Sequence, residues 1–145
     1  MRTTHVKAAD VEERWLLFDA SKHTLGRMAA HIAWSLMGKD RPSYTPSEHG
    51  STHVVVVHAE RARFLGDKND GKSYQHYTRY PGGLYNVPIA RVRERRPADI
   101  ITLAVRRMLP RNRLGRQLLR RLKVYAGPDH PHRAQSPVTV DKIRS

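Results

Sequence analysis

The sequence predicts an α/β domain: three layers, α/β/α, around a central, largely parallel sheet of about four strands, with basic loops and an extended C-terminal tail. Three observations carry this. WLLFDA (residues 15–20) and THVVVVHA (52–59) are short apolar runs of strand composition. The four consecutive valines leave no polar face, as in a central strand covered on both sides. The stretch between the two runs has helical periodicity, so strand, helix and strand fit a right-handed parallel crossover.

The elements run in order. The first strand ends at an Asp turn signal, Asp19. Thr24 is placed to cap a helix over residues 25–37, with Leu25, Ala29, Ile32 and Leu36 on one face and Gly38 as its stop. Pro42, Pro46 and Gly50 make residues 38–51 a loop. After the valine strand, RARFL and KSYQHYTRY flank the polar turn GDKND, which predicts a hairpin-like excursion, and Pro81-Gly82-Gly83 breaks it. A helix is expected over residues 88–95. Pro97 suits the first position of another helix. Its apolar face is Ile100, Ile101, Ala104, Val105 and Met108, and Pro110 ends it. A third helix runs over residues 114–122, and KVYAG is a short strand. From Pro128 onward three prolines and little periodicity predict an extended tail, residues 128–145, of a single domain spanning 1–145.

Charge narrows the function. The chain has 145 residues, 27 Lys plus Arg against 13 Asp plus Glu, and a net charge of +14. At this size such an excess points to nucleic acid first and to an anionic membrane second. No apolar run approaches the ~20 residues of a spanning helix, and MRTTHVKAADVEERW has no signal-peptide core. With cysteine absent, disulfides, zinc thiolates and thiol catalysis are excluded. The most basic block is RRMLPRNRLGRQLLRRLK (106–123), and no carboxylate occurs between Asp99 and Asp129. A solvated helix usually alternates charge signs; this one expects an anion. Arg outnumbers Lys there seven to one, and the guanidinium suits bidentate phosphate contact. Leu114, Leu118 and Leu122 make one stripe of the third helix, and Arg113, Arg116 and Arg120 another.

Other motifs are weaker. GDKNDGKS (66–73) fits G-x-x-x-x-G-K-S, the phosphate loop of nucleotidases. A working loop leads into a helix; here a strand-like segment comes next, and Asp67 and Asp70 put two negative charges in the cradle. A nucleotidase using Lys72 and Ser73 is the alternative reading, and the element after Ser73, helix or strand, discriminates. The nine histidines form no zinc pattern, and neither the close pair His130 and His132 nor the distant His53 and His58 makes a metal site. Tyr74, Tyr77, Tyr80 and Tyr85 lie among Lys72, His76 and Arg79, which suits either stacking on unpaired bases or a hairpin covering part of the core. Trp34 falls opposite the apolar stripe of its helix and faces either a second packing surface or RNA.

RWLLFDASKHTLGRMA, GKDRPSYTP, YPGGL, RRMLPRNRLGRQLLRRLKVYAG and HPHRAQSP, in this order over about residues 14–137, resemble the bacterial large-subunit ribosomal protein L-thirteen family. Family members usually carry Gly where this chain has Arg79, and tend to be basic near Trp34 and Met37. The resemblance implies an α/β domain that binds large-subunit ribosomal RNA, sits beside neighbouring large-subunit ribosomal proteins in the cytoplasmic ribosome and acts early in subunit assembly. It implies no catalysis. No catalytic or metal-binding residues, no cofactor, no small-molecule substrate and no membrane are expected. The candidate RNA-binding set is Arg27, Lys39, Arg41, Lys72, Arg79, Arg106, Arg107, Arg111, Arg113, Arg116, Arg120, Arg121, Lys123, His130, His132 and Arg133.

Overall fold

The structure, a computed structural model, describes residue 6 and residues 11–143. Its centre is a four-stranded parallel sheet built from β1 (Arg14–Asp19), β2 (Thr52–Val57), β5 (Leu122–Val124) and β6 (Val138–Thr139), in the order β5-β2-β1-β6. The α/β architecture expected from the sequence is therefore the one observed. β1 and β2 pair from Arg14 opposite Thr52 to Asp19 opposite Val57. All four valines of β2 are buried, as a central strand demands.

Helix α1 (Leu25–Leu36) connects β1 to β2 and buries Leu25, Met28, Ala29, Ile32, Ala33 and Leu36. It ends one residue earlier than expected, with Met37 as its cap. Thr24 holds the N-cap position without a side-chain bond; its backbone bridges to Arg63 instead. Between β2 and β5 come a short 3-10 turn (Ala59–Arg61), one helical turn α2 (Lys68–Gly71), the hairpin strands β3 (Ser73–Tyr77) and β4 (Leu84–Pro88), α3 (Ile89–Arg95), α4 (Pro97–Met108) and α5 (Arg113–Arg120). α1 and α4 pack against each other, so Ile32, Leu36, Ile100, Ile101 and Val105 share one core with Phe18, Val54, Val56 and Leu118.

Three expectations need correction. The hairpin is not made by RARFL and KSYQHYTRY across GDKND. β3 pairs antiparallel with β4, and the break at Pro81-Gly82-Gly83 is its turn. Gly82 takes a positive φ of 72°, the Gly83 amide donates to the Tyr80 carbonyl at 2.9 Å, and the Thr78 amide donates to the Gly83 carbonyl at 3.0 Å. The polar turn winds into α2 instead. Second, Leu122 is not helical. α5 stops at Arg120 and Leu122 opens β5, buried beside Val54. Third, the tail is only partly free. Val138 and Thr139 pair with Leu16 and Leu17, while Val140 and Ile143 pack against the core. Residues 1–5, 7–10 and 144–145 of the expected domain and tail lie outside the described residues.

Candidate nucleic-acid interface

The basic block folds as a helix, a sharp turn and a second helix. Pro97 starts α4, and Asp99 in its first turn complements the positive end of the helix dipole. Ile100, Ile101 and Val105 turn inward, which leaves Arg106 and Arg107 exposed in the last turn. Leu109 is buried, and Pro110 cannot continue the helix. Asn112 caps α5 by accepting the Gly115 amide at 2.8 Å. Gly115 lies so close to Pro110 that a Cβ there would collide with the Pro110 carbonyl oxygen. α5 then aims Leu118 into the core, 1% exposed, and Arg113, Arg116 and Arg120 at solvent. The two stripes read from the sequence are thus separate faces. Unlike α4, α5 has no acidic residue in its first turn, so its positive end and Arg113 and Arg116 accumulate charge of one sign.

Three depressions lie along the end of α4, two of them at this turn. A cleft of about 510 Å³ lies between the end of α4 and the start of α5 and is lined by Arg106, Arg107, Arg111 and Arg116. A second, of about 440 Å³, shares Arg107 and brings in Arg27, Arg63, Lys68 and Lys72. A third, of about 410 Å³, shares Leu109, Pro110 and Asn112 with the first and carries Lys39. Seven of the expected phosphate contacts (Arg106, Arg107, Arg111, Arg113, Arg116, Arg120 and Lys123) are exposed.

The remaining candidates are placed differently. Arg121 is half-buried: its guanidinium donates to the Gly50 carbonyl and lies 3.3 Å from His49 Nδ1. Arg41 donates to the Glu12 carbonyl at 2.8 Å. Both tie the 38–51 loop down, as does the ion pair of Arg14 with Asp40. Lys72 is half-buried, its Nζ 5.7 Å from the Phe64 ring and 5.4 Å from the Tyr74 ring. Arg79 sits in the hairpin turn with a φ of 71°, a left-handed conformation that favours the Gly of the resembling family. Lys123, on β5, is near His53 and His132. His132 stands in a ring cluster, with its Nε2 2.8 Å from Tyr125 Oη and its centroid 5.0 Å from Trp15. His130 stacks beside it at 6.4 Å, and Trp15 stacks on His53 at 4.5 Å. Arg133 makes an exposed ion pair with Asp129 at 3.6 Å. Trp34 is half-buried against His31, with ring centroids 5.7 Å apart.

Two arrangements bear on catalysis. At the carboxyl ends of β1 and β2, Asp19 Oδ1 accepts from Ser21 N at 2.9 Å and Ser21 Oγ at 2.7 Å, and lies 3.1 Å from His58 Nδ1. Burial raises the Asp19 pKa, but these bonds outweigh it and hold the carboxyl below its ordinary value. The carboxylate stands between serine and histidine and contacts both, an order unlike the nucleophile–histidine–carboxylate relay of a triad. The GDKNDGKS loop continues from Ser73 into β3, a strand and not a helix. It therefore lacks the helix N-terminus that receives phosphates in a nucleotidase. The side chain of Asp70 lies outside the described residues. No helix among the described residues is long and apolar enough to cross a membrane.

Sequence reasoning missed Arg63 and Lys68. Lys68 had a signal, since it stands four residues before Lys72 in the flagged loop. Arg63 had none: only its backbone bridge to Thr24 brings it to the start of α1.

Comparison with known proteins agrees with the resemblance read from the residues. A family model described as Ribosomal protein L13 matches residues 13–131. The protein named Large ribosomal subunit protein uL13 of Thermotoga maritima is 46% identical over 140 residues, 97% of this chain and 94% of the relative. Its namesake in Aquifex aeolicus is 46% identical over 141 residues, 97% and 98%. That of Geobacter sulfurreducens is 47% identical over 142 residues, 97% and 99%. With family match and relatives both spanning most of its length, the chain belongs to the ribosomal protein L13 family.

Proposed function

We propose that the chain binds large-subunit ribosomal RNA through the α4–α5 turn and β5 and so helps the large subunit assemble beside its neighbouring proteins. As a ribosomal protein of the large subunit it is not an enzyme. One observation carries the reading. Seven exposed cations from Arg106 to Lys123 share one helix–turn–helix and strand, and no carboxylate lies between Asp99 and Asp129 to balance them. Charge of one sign destabilises a small domain by self-repulsion and is relieved by an anionic partner. Phosphate contacts then supply affinity, and the shape of folded RNA supplies most of the specificity. Backbone footprinting of the full chain on isolated large-subunit RNA tests this. Discrete protected positions that weaken in an Arg111→Ala, Arg116→Ala variant support it. Equal protection of an unrelated RNA of the same length overturns it.

A further inference from the structure

The cleft of about 440 Å³ lies between the start of α1, the 63–72 loop and the end of α4, and it is ringed by Arg27, Arg63, Lys68, Lys72 and Arg107. These five residues come from three separate stretches of chain, so their convergence is a product of the fold. Among the described side chains the cleft lining includes no carboxylate and none of the five forms an ion pair. Lys72 is the deepest of them. Burial, with Arg107 and Lys68 close by, holds its ammonium below the ordinary lysine pKa. The loop is also built, not slack. Arg93 Nη2 donates to Asn69 Oδ1 at 3.1 Å and to the Ala62 carbonyl at 3.4 Å, with its guanidinium 5.4 Å from the Phe64 ring. Crowding five cations together, one of them a half-buried lysine, costs stability, and an anion joining them relieves it. The lip of the cleft is apolar: Leu65 is 71% exposed and Met108 43% exposed.

We infer that this cleft is a dedicated phosphate site that takes the backbone of a sharply bent RNA strand, with the cations holding phosphate and the Leu65–Met108 lip covering an unpaired base. The inference rests on the RNA-binding reading above and adds to it a second contact away from α5. It also accounts for the lysines of the GDKNDGKS loop without a nucleotidase: Lys68 and Lys72 converge on phosphate from beside a strand. The shared chemistry is phosphate, whether from an RNA backbone or a free nucleotide, and the inference commits to the RNA backbone.

The chain has no cysteine, so a single Gly71→Cys change gives a unique attachment point; a Cβ at Gly71 meets nothing within 4 Å. An iron–EDTA group attached there generates hydroxyl radicals beside the cleft on the full chain bound to large-subunit RNA. Discrete strand cleavage is expected. Adding Arg63→Ala with Lys68→Ala should reduce that cleavage about tenfold and lower the log–log salt slope of binding by about 2, while the footprint of α5 persists. A chain that binds and protects RNA through α5 yet cleaves nothing from position 71 overturns the cleft and leaves the function standing. A chain that does not bind the RNA at all overturns both. In a parallel arm, inorganic pyrophosphate is titrated while the Gly26 and Arg27 amides are followed by NMR. Saturation at micromolar concentration, without RNA cleavage, reassigns the cleft to free phosphates and overturns the RNA source.

Discussion

Replacing Leu118 and replacing its neighbours on α5 should have opposite consequences. Leu118 is 1% exposed and belongs to the core shared by α1, α4 and β2. Leu118→Ala removes buried methyl groups and leaves a cavity, which costs about 2–5 kcal/mol. At this chain length that lowers Tm by roughly 6–20 °C. Arg116 and Arg120, two positions before and after it, are exposed and make no ion pair among the described side chains. Exposed charges contribute about 0–1 kcal/mol even when paired, and removing two of several like charges relieves repulsion. Arg116→Ala with Arg120→Ala should therefore leave Tm within a few degrees of wild type. The same double variant should lose about 2 units of log–log salt slope in RNA binding, roughly one per phosphate released. Differential scanning calorimetry and filter-binding titrations on both variants read the two axes separately. A double-Arg variant that melts far below wild type yet keeps the wild-type slope would show that those arginines hold the fold and not the RNA.

Further consequences concern the turns, the hairpin and the tail. Gly115→Ala sets a methyl against the Pro110 carbonyl, so it should destabilise the protein by about 1–3 kcal/mol in urea unfolding, whereas Gly71→Ala, which meets open space, should cost little. Arg79→Gly relieves a left-handed residue at φ 71° and should stabilise by about 1 kcal/mol in the same assay; an unchanged midpoint rejects stored strain. Acidification should weaken tail docking. Burial first, then nearby cations, holds the His53 and His132 pKa values below their ordinary 6.5. The unfolded chain takes up those protons first as pH falls, so this contribution to stability is present above about pH 6.5 and is lost as pH drops through the lower folded values. Amide exchange at Val138 and Thr139 should accordingly quicken between pH 7.5 and pH 5; constant protection contradicts it. Lys72→Ala should leave ATP turnover at background in both forms, and turnover abolished by the change would restore the nucleotidase reading.

The parts of the fold legible in the sequence came from period and punctuation. Four valines in a row admit little besides a central strand, and Leu25, Ala29, Ile32 and Leu36 fix the buried face of α1. The division of α5 into leucine and arginine stripes needed only a repeat near 3.6. The hairpin register failed because strand-like composition occurs on both sides of GDKND, and only tertiary context decides which turn closes. The Pro-Gly-Gly turn carried the better signal, since Gly82 supplies the positive φ. β6 escaped notice because two residues carry no periodicity; it forms through long-range pairing with β1, helped by the exposed Lys22–Asp141 contact at 2.9 Å. Likewise, sequence spacing cannot tell a cation that meets solvent from one that meets a carbonyl. Arg121 and Arg120 are adjacent, yet one is bound to Gly50 and the other is exposed.

If phosphate neutralisation by the acid-free block drives binding, RNA affinity must depend steeply on salt. With about seven phosphates engaged, one for each exposed cation from Arg106 to Lys123, the observed association constant for large-subunit RNA should fall with a log–log slope of magnitude about 5 or more. A slope near zero across the same range of salt would contradict the account.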